Sequence, residues 1–359
     1  MALRRRRLAA AAVAYTTVLG GLCGFAVPVR AATWIEQAQA EFTCTGLADA
    51  AERASLAAPW LPGPLDAKSV AAYFRGPPQD ARQARFRHLT MLAAIGWWAD
   101  QINDQSLRSD VYVNIGVLAD QYAGTGEALF RQVARCARAR LIGALLELDQ
   151  PRVAERVADD LVRLYTEALP VQPVEDWPLL LAIRELRLAP TASASPGLAG
   201  LTTRATTFAT NSTTAKSPER TSRWLAVASQ GVLALGDAGK ARDLALQSLV
   251  VTGKPPTPVA AWRAMPMLFD AATRLNGAAE AANLHVLLQP DDPPAALRDP
   301  EAAFESLLRI SQAAETQQRF DDMARLQQSA FNRLARLAEL DRYSMPFYRH
   351  ALDELAGTR

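Results

Sequence analysis

The sequence predicts an all-α protein built of stacked antiparallel helix pairs, and three observations lead to that fold class. Apolar residues recur at steps of three and four residues through most of the chain, as one buried helix face requires. No stretch alternates β-branched with polar residues around a hairpin turn, which would be the pattern of paired strands. A short turn pattern returns several times between the helical stretches, and recurring turns are typical of helix pairs that stack.

The helical spacing covers most of the chain after residue 85. Within residues 86–102 an apolar side chain occupies every third or fourth position, so that these side chains share one helix face. Helix starts are marked as well: Thr257 directly precedes Pro258, an N-cap oxygen followed by a proline in the first turn. The other stretches with this spacing are residues 111–122, 129–148, 153–168, 225–235, 262–275, 304–310 and 320–337.

Residues 1–31 have the three parts of a secretory signal peptide. The start is basic, with arginine at positions 4 to 7, residues 8–27 carry no charge, and Val29-Arg30-Ala31 has the small-x-small pattern of a cleavage site. We therefore expect cleavage after Ala31 and a periplasmic or secreted mature chain. The alternative is an uncleaved membrane anchor, because residues 8–27 are long enough to span a bilayer as a helix. Only in that case would the protein meet a membrane.

The basic balance of the chain belongs to this first segment. Five of the 39 Lys and Arg residues lie within residues 1–31, which leaves 34 of them against 37 Asp and Glu residues. A nearly neutral mature chain without a block of like charge disfavours electrostatic binding to nucleic acid or to anionic lipid. We expect no nucleic-acid partner.

Two cysteines, Cys44 and Cys136, remain in the mature chain. In an oxidising compartment such a pair predicts a disulfide. A bridge across that many residues would stabilise the fold by about 4–5 kcal/mol, because it restricts the unfolded chain. The alternative is two separate buried thiols, since cysteine is often buried in any case.

Residues 190–218 interrupt the helical pattern. They contain twelve Ser and Thr residues among 29 and only two charges, a composition that predicts a linker or a long loop. Residues 198–208 also have the spacing for a short Thr-rich helix within it. This segment separates two expected domains, an N-terminal helical domain of residues 32–189 and a C-terminal helical-repeat domain of residues 219–359.

Three of the turns between helices follow one pattern. A leucine ends the first helix, a residue such as Gly, Asp or Asn turns the chain, and an alanine opens the buried face of the next helix. The turn residues tolerate the left-handed conformation that ends a helix, and the small alanine lets antiparallel helices approach closely. The three turns are Leu148–Ala154, Leu235–Ala241 and Leu275–Ala281.

This pattern resembles the turn between the two helices of a tetratricopeptide repeat, whose usual run is Leu-Gly-Asp-Tyr-x-x-Ala. Leu235–Ala241 is the most similar, and residues 318–323 are similar too, with Phe320 in the tyrosine position. The resemblance extends over residues 111–169 and 220–340 and implies a tetratricopeptide-like α-solenoid that binds a protein or peptide. The three turns are 87 and 40 residues apart, whereas the family repeats every 34. An ordinary α-solenoid or helical bundle is the alternative.

Patterns of the common catalytic and cofactor sites are missing from the sequence. It has no pair of histidines at metal-binding spacing, no phosphate-binding loop, no nucleophile elbow and no dinucleotide fingerprint. We therefore predict no catalytic residue, no metal and no cofactor. Glu305-Ser306 is similar to a pair used by helical lytic transglycosylases, but without their surrounding motif we expect Glu305 to be a solvated helix position. Trp97 is a candidate partner-binding residue, since its neighbour Trp98 belongs to the buried stripe.

Export, stacked helices and missing catalytic patterns together predict a non-catalytic scaffold that binds a protein or peptide partner. One alternative is an all-α enzyme acting on cell-wall or exopolysaccharide material, for which Tyr343, Tyr348 and His350 would supply the reacting groups. Another is a protein that binds a small apolar ligand between its helices.

Overall fold

A computed structural model of the chain describes residues 104–123, 128–166, 177–210, 218–284 and 300–339. It also describes single positions and short pieces between residues 80 and 99, at 293–294 and between 351 and 355. The part so described contains helices and no strand, which confirms the predicted all-α class. Residues 1–31 lie outside it. None of the helices within it is long and apolar enough to cross a membrane.

Eleven α-helices and one short 3-10 helix follow each other in this part of the chain. They are α1 (Gln105–Ala123), α2 (Ala128–Glu147), α3 (Pro151–Thr166), α4 (Trp177–Arg187), the 3-10 helix (Ala192–Ala194), α5 (Pro196–Thr210), α6 (Pro218–Ala234), α7 (Ala238–Val250), α8 (Pro258–Asn276), α9 (Ala278–Ala282), α10 (Pro300–Thr316) and α11 (Phe320–Glu339).

These helices pack in two rows. Neighbours in sequence pair with each other, as in α1 with α2, α6 with α7 and α10 with α11. The even-numbered helices also contact each other in the order α2, α4, α6, α8, α10. We call α2, α4, α6, α8 and α10 the inner row and the odd-numbered helices the outer row. Adjacent stacked pairs of this kind are the solenoid-like arrangement that the sequence predicts.

The turns that close the helix pairs share one hydrogen-bond pattern. Asp149, Gly236 and Gln318 all have a positive φ, the left-handed conformation that ends a helix. At each turn the N–H of that residue donates to a carbonyl three residues back, and the next N–H donates to one five residues back. Gly277 also has a positive φ, with a single bond from its N–H to the Thr273 carbonyl. The two bonds at each of the first three turns form a Schellman motif. They give hydrogen-bond partners to carbonyls that would otherwise have none at the end of the helix.

The side chains around the turns follow the prediction in all but one place. Ala154, Ala241 and Ala281 are fully buried, as close contact between antiparallel helices requires. Leu235 is half-buried and packs against the core. Leu275 does not follow the pattern, since its side chain is 45% exposed. Its turn leads into α9, a helix of five residues that is too short to cover a leucine at the end of α8.

Prolines mark a repeat that the turn pattern alone did not reveal. Pro178, Pro218, Pro258 and Pro300 each stand at the start of an inner-row helix, at intervals of 40, 40 and 42 residues. Proline is tolerated there because the first N–H groups of a helix have no intrahelical partner. The helix pairs therefore repeat every 40 to 42 residues in this part of the chain, which is longer than the 34 residues of a tetratricopeptide repeat.

Within residues 190–218, for which the sequence predicted a linker or long loop and left open a short Thr-rich helix, residues 196–210 form the helix α5. Ser195 caps this helix, its side-chain oxygen accepting a hydrogen bond from the N–H of Leu198 at 2.9 Å. Its threonines are satisfied within the helix, because the hydroxyls of Thr203, Thr206 and Thr207 each donate to the carbonyl four residues back. The Thr-rich stretch therefore forms a packed helix and not a loop.

The helix α5 also joins the two halves of the chain that it was expected to separate. It packs against α3 and α4 on one side and α6 on the other. Three aromatic rings run across this junction: Tyr165 contacts Phe208, and Phe208 contacts Trp224, with centroids 5.9 and 5.1 Å apart. Trp34–Arg359 accordingly group into one compact unit, and the boundary at residues 190–218 does not divide the core.

Candidate functional site

Three of the inner-row helices, α6, α8 and α10, are buried on all sides along much of their length. Residues 224–233 of α6, 260–269 of α8 and 302–311 of α10 are buried without interruption over almost three turns each. A helix buried all round is normally apolar, yet several ionisable side chains lie in this row. Taking those side chains out of water is costly unless they are paired. The buried charged residues of the row are Arg140, Arg184, Glu185, Arg263, Glu305 and Arg309.

Arg187 and Glu305 form an ion pair between α4 and α10, in which an Nη2–H donates to Oε1. Both side chains are about nine-tenths buried. In the inner row α6 and α8 lie between these two helices. Neighbouring helix axes are about 8–10 Å apart, so a straight row would separate α4 from α10 by about 25–30 Å. Since the two side chains touch, the row is curved and α4 faces α10 across its concave side.

Arg309 lies four residues after Glu305 on α10, one helical turn along the same face. Its Nε–H and one Nη2–H donate to the two carboxylate oxygens of Asp270 on α8, at 2.6 and 3.0 Å. The same Nη2 group donates to Oε1 of Glu354 at 3.0 Å. Two parallel bonds from one guanidinium make the Asp270 contact bidentate, which adds geometric specificity to charge attraction. We call Arg187, Asp270, Glu305, Arg309 and Glu354 the inner charge cluster.

Burial and neighbouring charge shift the pKa values within this cluster. Burial raises the pKa of Asp270 above the ordinary aspartate value of 3.8; Arg309 opposes the shift, and the negative charges of Glu354 and Glu305 add to it. Burial lowers the pKa of Arg309, but attraction to Asp270 and Glu354 outweighs it and raises the pKa above its ordinary value. Arg309 is therefore a permanent cation that pairs with both Asp270 and Glu354.

In the part of the chain that the structure describes, Oε2 of Glu305, a buried acceptor, and Nη1 of Arg309, a buried donor, have no hydrogen-bond partner. The sequence suggested that Glu305 is a solvated helix position, and that expectation is wrong. Glu305 is buried, because the curvature of the inner row brings Arg187 against it. The hydroxyl of Ser306 donates to the Trp262 carbonyl at 2.5 Å, so it is committed to holding α10 against α8.

The cluster links α4, α8 and α10 through ion pairs between buried side chains. Its two arginines and three carboxylates have a formal charge of −1. No three His, Cys, Asp or Glu side chains converge in the described residues as a metal ion would require. Sequence reasoning missed Asp270, Arg309 and Arg187. The sequence did contain one signal for such a site, which is a charged residue next to a long apolar stretch of a helix. Asp270, which directly follows the apolar residues 264–269, is an example.

Most candidate residues from the sequence fall outside the part that the structure describes. Cys136 lies on α2 and is fully buried, whereas Cys44 is outside the described residues, so the disulfide stays a prediction. Trp97, the candidate partner-binding residue, is outside them as well. The same holds for the residues of the enzyme alternative, Tyr343, Tyr348 and His350.

The outer row presents apolar side chains to solvent. Val113 and Val117 are one turn apart on α1, and Leu246 and Val250 are one turn apart on α7, so each pair shares one exposed face. Val250 is 56% exposed, more than half of its surface. The other large apolar side chains that the outer row exposes are Val251, directly after α7, and Phe320 and Phe331 on α11. In contrast to the buried inner row, this row offers apolar contacts to another molecule.

No protein-family model and no curated protein matches the chain.

Proposed function

We propose that the chain is an exported, non-catalytic scaffold that binds a protein or peptide partner through the outer row of its helix pairs. Stacked helix pairs expose a long continuous surface, and that surface suits an extended macromolecular contact better than it suits a small substrate. The inner row is not the binding surface in this proposal, because α6, α8 and α10 are each buried at ten consecutive positions. Export is the expectation that follows from residues 1–31.

The observation that carries this proposal is the contrast between the two rows. Leu246 and Val250 lie side by side on α7 with their side chains in solvent. They are flanked on the same helix by the exposed charges of Arg242 and Asp243. An apolar centre with a polar rim is the usual composition of a protein–protein interface. The inner charge cluster, by comparison, is paired within itself: Arg187 bonds to Glu305, and Arg309 bonds to Asp270.

Affinity capture from a periplasmic extract, with the mature chain as bait, tests the proposal when it is paired with surface variants. The double variant Leu246→Asp and Val250→Asp should lose a partner that the wild-type chain retains, because it places charge in the apolar centre. The matched control is the double variant Thr203→Asp and Thr207→Asp, which adds the same two charges at exposed sites one turn apart on α5. Equal capture by wild type and the double variant would refute the outer-row surface.

Export is tested separately. Mass spectrometry of the periplasmic protein should give a mature chain that begins at Ala32. An intact Met1, or a protein found only in the membrane fraction, would contradict cleavage.

A further inference from the structure

The helix α2 shows solvent one narrow face, and that face is basic. From residue 130 to residue 145 every residue is buried except three, and all three are arginines: Arg131, Arg135 and Arg138. Positions i, i+4 and i+7 lie on one side of a helix. The three arginines therefore form a single line about 10 Å long. We call Arg131, Arg135 and Arg138 the arginine stripe.

The stripe lies between α1 and α3, the two outer-row helices that flank α2. On one side the Nη2 group of Arg138 donates to Oδ2 of Asp120 on α1 at 2.6 Å. On the other side the Nη2 group of Arg135 donates to the Leu164 carbonyl on α3 at 3.3 Å, and its guanidinium lies 4.8 Å from the ring centre of Tyr165. The stripe is recessed between these helices, since the Arg138 side chain is only 13% exposed.

The positive charges of the stripe are only partly neutralised. Arg138 has a carboxylate partner, whereas Arg135 bonds to a neutral carbonyl. Arg131 forms neither a hydrogen bond nor an ion pair with any residue that the structure describes. The Nε atoms of Arg131 and Arg135 are buried, so these side chains are held along the helix and lose little freedom when an anion binds. A guanidinium group stays protonated and donates two parallel bonds to a carboxylate. The stripe therefore suits an acidic group from outside.

Exposed apolar side chains lie beside the stripe on α1. Val113 and Val117 precede Asp120 by seven and three residues, so these side chains share one face of α1. The two valines are 46% and 53% exposed, and Asp120 on the same face reaches Arg138. A molecule bound to the stripe therefore meets an apolar patch next to its charged partners. A small inorganic anion has no group for that patch, whereas an amphipathic protein segment has one.

We propose that the arginine stripe and the two adjoining valines bind an acidic amphipathic helix of a partner protein. Carboxylates at i, i+4 and i+7 of such a helix have the same rise along its axis as the arginines have along α2. They bond to Arg131 and Arg135, while apolar residues on the neighbouring face of the helix cover Val113 and Val117. A Glu side chain extends from its backbone into a recess, whereas the phosphates of a bilayer or a duplex are fixed to a broad surface. This site goes beyond the apolar contact proposed at α7, because it selects a partner by charge.

Fluorescence anisotropy with a labelled peptide tests the proposal on the full chain. The probe is an alanine-based helical peptide with Glu at i, i+4 and i+7 and Leu on the neighbouring face. Arg131→Gln breaks no contact with the described residues and should weaken binding about threefold, and Arg131→Gln with Arg135→Gln should weaken it about tenfold. The matched control is the double variant Arg152→Gln and Arg156→Gln, which removes two exposed arginines at the same spacing from α3. It should bind the peptide as the wild type does.

Further variants and probes identify what the site recognises. A peptide with Gln in place of each Glu should not bind, and Val113→Ser with Val117→Ser should weaken binding of the acidic peptide about threefold. Circular dichroism establishes that each variant is folded. No binding of the acidic peptide to the wild type would overturn the proposal, as would equal losses in the α2 and α3 double variants. Displacement of the peptide by phosphatidylglycerol vesicles that bind through the same arginines would also overturn it. None of these results bears on Leu246 and Val250, so the two surfaces fail independently.

Discussion

Gly231 of α6 allows α5 and α6 to approach so closely that any side chain there would collide. A Cβ atom at this position would lie 2.0 Å from Oγ1 of Thr202 and 3.1 Å from its Cβ. Both residues are buried, and the Thr202 hydroxyl has no partner among the described residues to which it could turn. Gly231→Ala therefore overpacks the junction between α5 and α6.

The expected cost follows from two opposing effects. Overpacking a buried contact costs about 1–3 kcal/mol, while Ala in a helix interior is favoured over Gly by about 0.5–1 kcal/mol. Taking the middle of each range, the free energy of unfolding should fall by about 1 kcal/mol in Gly231→Ala. Thr202→Ala removes the colliding Oγ1, so the double variant should recover most of that loss, a coupling typical of residues in contact.

Urea unfolding followed by circular dichroism measures all three variants. The control is Gly116→Ala on α1, where a new Cβ would find its nearest atom at 3.6 Å, an ordinary contact. We expect this control to raise the free energy of unfolding by about 0.5–1 kcal/mol. If Gly231→Ala is as stable as the wild type, or if its effect simply adds to that of Thr202→Ala, then the close contact between α5 and α6 is refuted.

Three further predictions concern other parts of the molecule. Ala241→Leu should lower the free energy of unfolding by about 1–3 kcal/mol, because it overpacks a fully buried contact between helices. The control Ala324→Leu, at an exposed site on α11, should leave the free energy of unfolding unchanged. Equal urea midpoints for the two variants would contradict the packing predicted for the repeat turn. Partial burial, then repulsion from neighbouring acids, raises the pKa of Asp159 above 3.8. Its contribution to stability is therefore fully present below pH 3.8 and is lost as the pH rises through the raised pKa. Asp159→Asn should be more stable than the wild type at pH 7 by about 0.2–0.5 kcal/mol, with no difference at pH 3; a gain that persists at pH 3 would rule out repulsion as its cause. Peptide mapping without reduction should recover Cys44 and Cys136 in one linked pair, and two alkylatable thiols in the native protein would exclude the bridge.

Much of the helical framework could be predicted, because the signals for helix starts and turns are local. A leucine, a glycine and an aspartate in sequence are enough to end a helix, and the turn at Gly236 and Asp237 has the predicted geometry, with the Asp237 side chain accepting the N–H of Lys240. The prolines at the starts of the inner-row helices are also a local signal. Their 40- to 42-residue spacing was readable from the sequence.

The candidate site could not be predicted, because its members meet only in the folded chain. Arg187 and Glu305 are 118 positions apart, and no local pattern relates them. Glu305 looks solvated when only its own helix is considered; its burial depends on the curvature of the row that brings α4 to α10. The same reasoning applies to α5, whose threonines resemble a loop by composition but bond to their own backbone once the neighbouring helices enclose them.

The sequence by itself determined where most of the described helices begin and end, with α5 the exception, since those choices depend on caps, turns and apolar spacing within a few residues of each other. The tertiary structure alone decided which polar groups are buried, because burial depends on the helices that cover a residue and those helices come from distant parts of the chain. Arg309 is the clearest case. Its sequence neighbours predict only a helix, while Asp270 and Glu354, 39 and 45 residues away, make it the centre of a buried ion-pair network.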